Sequence, residues 1–244
     1  MPIGARTVPD PRRTDPWCPC AWCNDTVTLI LARGTRELFD PTSLVEDYLD
    51  VARPRKRRFS WPFYDSLVTN GRPDVLVTGD YLAPALLGAP VDADVMAGLV
   101  SMQQPLQEAL AALPSVAHLA QATEADCDAV AALWAVLDDE HVDTADIKPS
   151  LVAKVLHRKR PGLIPVWDSR VFTFYRDAGC VLINRQEHCW EDYLRQLTLA
   201  MREDLQANPT AFAELTALAP ADGPTLTPLR ALDIVVWMSQ ATES

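Results

Sequence analysis

The chain has no run of 18 or more apolar residues, which excludes a membrane-spanning helix. Its first residues, MPIGARTVPDPRRTDPW, carry prolines and charges where a secretory leader needs an apolar stretch, so the expectation is a cytoplasmic protein. Runs of β-branched and aromatic residues are scarce. Ala, Leu, Asp and Glu dominate from about residue 83 to 140 and again after Glu191, which favours helix over strand. No internal repeat and no strand–helix alternation argues for a doubly wound sheet. Positive charge is also short. Against 33 Asp and Glu stand 22 Lys and Arg, a net charge of −11, and this argues against broad electrostatic wrapping of nucleic acid.

What is present describes an all-α protein with one minor strand pair, near 27–31 and 74–78. Residues 1–25 read as a Pro- and Cys-rich arm. Residues 26–244 read as a helical domain, with room for two helical subdomains meeting near 115–145. Asp40-Pro41 is an N-cap followed by proline at the first helical position. Asp92 opens a helix that breaks before Pro105, and Thr123 to Asp126 has capping character. Further helices are expected over 150–159, from Asp168 to near Gly179, over 190–206 and over 228–240. The expected core comprises Leu133, Trp134, Leu137, Val152, Val155, Leu156, Val166, Val171, Leu232, Val235 and Val236.

Three thiols fall within six residues, Cys18, Cys20 and Cys23. Zinc needs four ligands, and spacing selects no fourth among Cys127, Cys180, His188 and Cys189, so no metal and no cofactor is expected. Two basic runs break the acidic background: Arg53 to Arg58, followed by Phe59, Trp61, Phe63 and Tyr64, and the triplet Arg158, Lys159, Arg160. Cations interleaved with aromatics suit a nucleic-acid or nucleotide-like partner on a local basic face. Packing requires at least two of the four aromatics to enter the core. His157, before the triplet, reads as a helix-surface histidine.

The segment richest in chemistry is KVLHRKRPGLIPVWDSRV, residues 154–171. Pro161-Gly162 ends one helix, and Asp168 opens the next as an N-cap accepting from the amides of Arg170 and Val171. Around it stand Arg158, Lys159, Arg160 and Arg170 as a cationic rim, with Trp167, Phe172 and Tyr175 as stacking surface. Lys154 and Lys148 lie close enough in sequence to share a cleft with Asp168.

These residues, with the late Leu229-Arg230-Ala-Leu-Asp233 to Trp237 segment, resemble a bacterial family of unknown function that carries an RKRP-LIPV-D run. More distantly they are similar to the helix-hairpin-helix DNA glycosylases of the 8-oxoguanine glycosylase fold. The resemblance implies a glycosylase-like core and a protein acting on or recognising a nucleobase or nucleoside. It makes Asp168 the essential carboxylate that stabilises cationic character at the sugar. It also implies a lysine nucleophile forming a Schiff base. Lys154 is the first candidate by its setting and Lys148 the second by its 20-residue separation from Asp168. The Gly-rich hairpin turn of those enzymes is replaced here by VDTADIKPSLVAK (142–154), without glycine. Two other classes stay open: a non-catalytic binding or scaffold protein on the same core, and a small-molecule enzyme of secondary metabolism.

Overall fold

A computed structural model describes residues 28–52, 59, 63–67, 71–142, 144, 147–182 and 189–242. The arm with Cys18, Cys20 and Cys23, the basic run 53–58, Trp61 and His188 lie outside these residues. The molecule is mainly helical, as expected, with a small two-stranded sheet.

The chain enters through an antiparallel hairpin, β1 (Thr28–Leu31) and β2 (Arg36–Phe39), in register Thr28 with Phe39 and Leu31 with Arg36. Ala32 and Arg33 hold left-handed backbone at φ 52° and 58°. Asp204 accepts from both of their amides, at 2.9 and 3.2 Å, and this offsets the strain. The expected partner strand at 74–78 does not form. Its backbone is satisfied by side chains instead: the Leu76 amide donates to Gln107 Oε1 at 2.8 Å, Gln103 Nε2 donates to the Leu76 carbonyl at 3.0 Å, and the Val77 amide donates to Asp80 at 2.8 Å.

Helix α1 (Pro41–Leu49) starts at the Asp40 cap, whose carboxylate accepts the Ser43 amide at 3.2 Å. After a short helical turn, α2 (Ala83–Leu86) carries Pro84 in its first turn. Helices α3 (Ala93–Ser101) and α4 (Gln103–Ala112) divide at Met102, three residues earlier than Pro105 suggests. Helix α5 (Glu124–Ala132) begins with a reciprocal capping box between Thr123 and Asp126. Next come α6 (Pro149–His157), α7 (Ser169–Asp177), α8 (Trp190–Ala207), α9 (Pro209–Ala217) and α10 (Pro228–Thr242). No helix among the described residues is long and apolar enough to cross a membrane.

Helix α10 is the axis of the packing and meets α1, α7, α8 and α9. It is apolar around most of its circumference, with Ala231, Leu232, Ile234, Val235 and Val236 all fully buried, as a helix enclosed on several sides must be. Every residue of the expected core is buried except Leu137, which is partly so and packs against it. Of the four expected aromatics, Tyr64 is buried, Phe59 packs partly buried against the core, and Phe63 is exposed.

Candidate functional site

The loop between α6 and α7 is built to be rigid. The Leu163 and Ile164 amides both donate to the Arg160 carbonyl, at 3.0 and 2.9 Å. Gly162 presses against the backbone at Ala117, where a Cβ would sit 2.4 Å from the carbonyl oxygen and 2.8 Å from His118 Nδ1. Only glycine permits that approach. The loop delivers Asp168 to the start of α7. There Oδ1 accepts from the amides of Arg170 (2.9 Å) and Val171 (3.3 Å), and Oδ2 accepts from the Trp237 indole at 2.9 Å. Arg170 lies 4.3 Å over the other side of that indole system as a cation–π partner. The start of α7 and a residue of α10 are thus fastened at one point.

Asp168 opens on a cleft of about 800 Å³, a size ordinary for small-molecule sites. Lys154 of α6 reaches into the same cleft. It is 6% exposed, and its ammonium has no hydrogen bond or ion pair among the described residues. Burial lowers its pKa, against the opposing pull of Asp168 and Asp233. A second carboxylate, Asp233, lines the cleft from α10. Burial pushes it up to about 7, Arg230 pulls the other way, and Asp168 adds to the rise.

Arg230 organises this wall. Its guanidinium holds Asp65 through two bonds of 3.0 and 3.2 Å, pairs with Asp233, and donates to the Tyr48 hydroxyl at 2.7 Å. Such a shared, nearly saturated cation keeps Asp233 in one orientation. Phe59 stacks on Tyr48 at 5.1 Å and meets Trp237 edge-on at 5.8 Å, and Phe63 and Val166 extend the apolar lining. Among the described residues, the cleft therefore offers aromatic walls, two carboxylates and one unpaired amine.

Of the residues proposed by sequence as catalytic or substrate-binding, Asp168 and Lys154 line this cleft, with Arg170 against Trp237, and Phe59 and Phe63 of the aromatic run line it as well. Lys148 is exposed at the entry to α6 and does not line it. Lys159 is not a rim residue: it is buried in an ion pair with Asp80 at 3.1 Å. Arg158 turns away and donates to the Leu67 carbonyl at 2.9 Å, and Arg160 does not reach the cleft. Trp167 is core, packed on Trp190 and Tyr193. Tyr175 is also core, fully buried, with its hydroxyl donating to Asp204 at 2.9 Å. Neither presents a stacking face, because both lie on the inward side of their segments. Sequence reasoning missed Arg230 and Asp233 as site residues. The one signal was their polar character inside an otherwise apolar helix. Among the described residues, no group of three or more His, Cys, Asp or Glu side chains is placed to hold a metal ion.

A family model described as a family of unknown function, DUF6308, matches residues 41–240, and the chain belongs to that family. No curated protein and no solved structure matches it. The match takes in α1 through nearly all of α10, so every cleft residue named above falls within it.

Proposed function

We propose, on the premise that a member of this family has to be understood from its own cleft, that the protein cleaves the N-glycosidic bond of a nucleobase-bearing substrate. The observation that carries this reading is the convergence of Lys154 and Asp168 on one aromatic-walled cleft, with the amine unpaired among the described residues. Lys154 in its neutral form attacks the anomeric carbon. The carbon–nitrogen bond breaks with its electron pair leaving on the base, which takes up the proton carried by Asp233. Asp168 stabilises positive charge developing at the sugar. The proton shed by the lysine passes to Asp233. The bond from the anomeric carbon to the ring oxygen then breaks, that oxygen taking the proton from Asp233 as a protonated imine forms with Lys154. Water hydrolyses the imine to release the opened sugar and the amine. A net charge of −11 favours a nucleoside-sized or locally single-stranded substrate over extended duplex.

The test is base release from nucleosides, nucleotides and lesion-bearing oligonucleotides, followed by chromatography, with borohydride in parallel to trap an adduct. Asp168→Asn should abolish release and Lys154→Ala should abolish trapping. If wild-type protein gives neither base release nor adduct across that set, the reading is wrong.

One observation favours a second reading, a binding protein that keeps a glycosylase-like core. Both oxygens of Asp168 already accept from three N–H donors, which is what a structural cap needs. In that case nucleosides bind without turnover, and Asp168→Asn changes stability rather than chemistry.

A further inference from the structure

A second cavity of about 870 Å³ lies on the other side of Arg230, walled by Asp65, His157, Arg158 and the 220–227 segment. His157 is expected on the helix surface but is fully buried, stacked on Tyr64 at 6.0 Å between ring centroids. Its Nδ1 lies 2.7 Å from the Ile164 carbonyl oxygen, which can only accept, so Nδ1 carries the hydrogen. Burial and the Arg230 charge lower the imidazole to about 3, so the ring is neutral and Nε2 presents a bare lone pair. That nitrogen is buried and has no partner. The adjacent residue supplies the opposite deficiency: Arg158 Nε is also buried without an acceptor, although its Nη2 is used by Leu67.

A buried acceptor and a buried donor, both unmet and both contributed by residues lining one cavity, are costly to leave so. Among the described residues, charge on the wall is balanced, with Asp65 and Asp222 against Arg158 and Arg230. An anion gains little there. Pro161, Pro220 and Pro224 add flat apolar surface, and Thr225 brings a further hydroxyl, that of Thr227 being engaged with the Pro161 carbonyl and the Arg230 amide. We infer that this second cavity is a binding site for a small neutral ligand that presents a hydrogen-bond donor to His157 Nε2 and an acceptor to Arg158 Nε. A ring amide, with N–H beside C=O, and a sugar hydroxyl both supply that pairing. The inference does not depend on the catalytic reading of the Asp168 cleft.

The experiment is titration of the full chain with uracil, D-ribose and inorganic phosphate in separate arms, followed by calorimetry or ligand-observed NMR. Saturable binding of uracil or of ribose is expected, and which of the two binds separates ring amide from hydroxyl. Phosphate should not bind. Thr225→Trp, at an exposed loop position, fills the cavity mouth, and Arg158→Leu removes the donor. Each should weaken binding at least tenfold with the circular dichroism spectrum unchanged. Should Arg158→Leu fail to fold, Thr225→Trp alone decides. Lys154→Ala, in the other cleft, should leave the affinity as it was. The inference is overturned if neither neutral probe binds, if phosphate binds in preference, or if binding survives Thr225→Trp or is lost in Lys154→Ala.

Discussion

Trp237 donates its indole N–H to Asp168 across 2.9 Å, joining the last described helix to the start of α7. Asp168 therefore acts both as a helix cap and as the acceptor for a half-buried indole. Asp168→Ala removes a cap contribution of about 1 kcal/mol and leaves the indole donor unmet at about 1 kcal/mol more. A destabilisation of about 2 kcal/mol is expected from urea melts. Asp168→Asn retains a capping oxygen and should lose less. Equal losses in the two variants would show that the Trp237 bond, not the cap, dominates.

Lys154 is buried without a hydrogen-bond or ion-pair partner among the described residues, and burial is the largest influence on its pKa. Lys154→Met keeps the chain length and removes the desolvated charge. The variant should be more stable than wild type at neutral pH, on the order of 1 kcal/mol, and inactive in any reaction that uses the amine. Thermal unfolding checks the first half. A less stable Met variant would mean that the two carboxylates outweigh burial.

Two buried groups give opposing pH dependences. Asp233 is raised from 3.8 to about 7, so between those values the folded protein binds more protons and stability falls as pH rises. His157 is lowered from 6.5 to about 3, so between those values the unfolded chain binds more protons and stability is lost as pH falls. From about pH 4 to 6.5 they partly cancel. Asp233→Asn removes one arm, and stability should then climb more steeply with pH across that window than in wild type. Denaturant midpoints at half-unit pH steps measure this, and an unchanged slope would refute the assignment.

Lys159 and Asp80 form an ion pair sealed from solvent, with side chains 3% and 0% exposed. Removing the lysine leaves the Asp80 carboxylate buried with the Val77 amide as a donor but without the Lys159 charge. Lys159→Met should cost about 3 kcal/mol, whereas Lys159→Met combined with Asp80→Asn should recover part of that loss. A double-mutant cycle on melting data gives the coupling, and a value near zero would place the pair among decorative ones.

These residues also mark what was legible in advance. Asp168 as a cap was readable because proline, glycine and an aspartate before Ser-Arg-Val are local signals, and the amides it bonds lie two and three residues away. Asp40 and Thr123 were readable for the same reason. Lys159 was not, because its partner is 79 positions distant and a basic triplet resembles a solvated turn. Val75 to Thr78 has the composition of a strand, but glutamine amides from α4 took its backbone bonds, and nothing in the segment announces that. Arg230 and Asp233 stand within a recognisable motif, but no local signal gives them a role. Their significance comes from Asp65 and Tyr48 arriving from far upstream. His157 shows the same limit, since burial on a short helix beside a basic run has no periodic signature.

Arg230 stands in the wall of both cavities. Its position gives the two cavities a common wall. Any occupant that shifts the guanidinium, or alters its hold on Asp65 and Asp233, changes affinity on the far side. Reciprocity then requires the far occupant to return the same factor. Competition between ligands that never touch would be the outward sign of that shared partition.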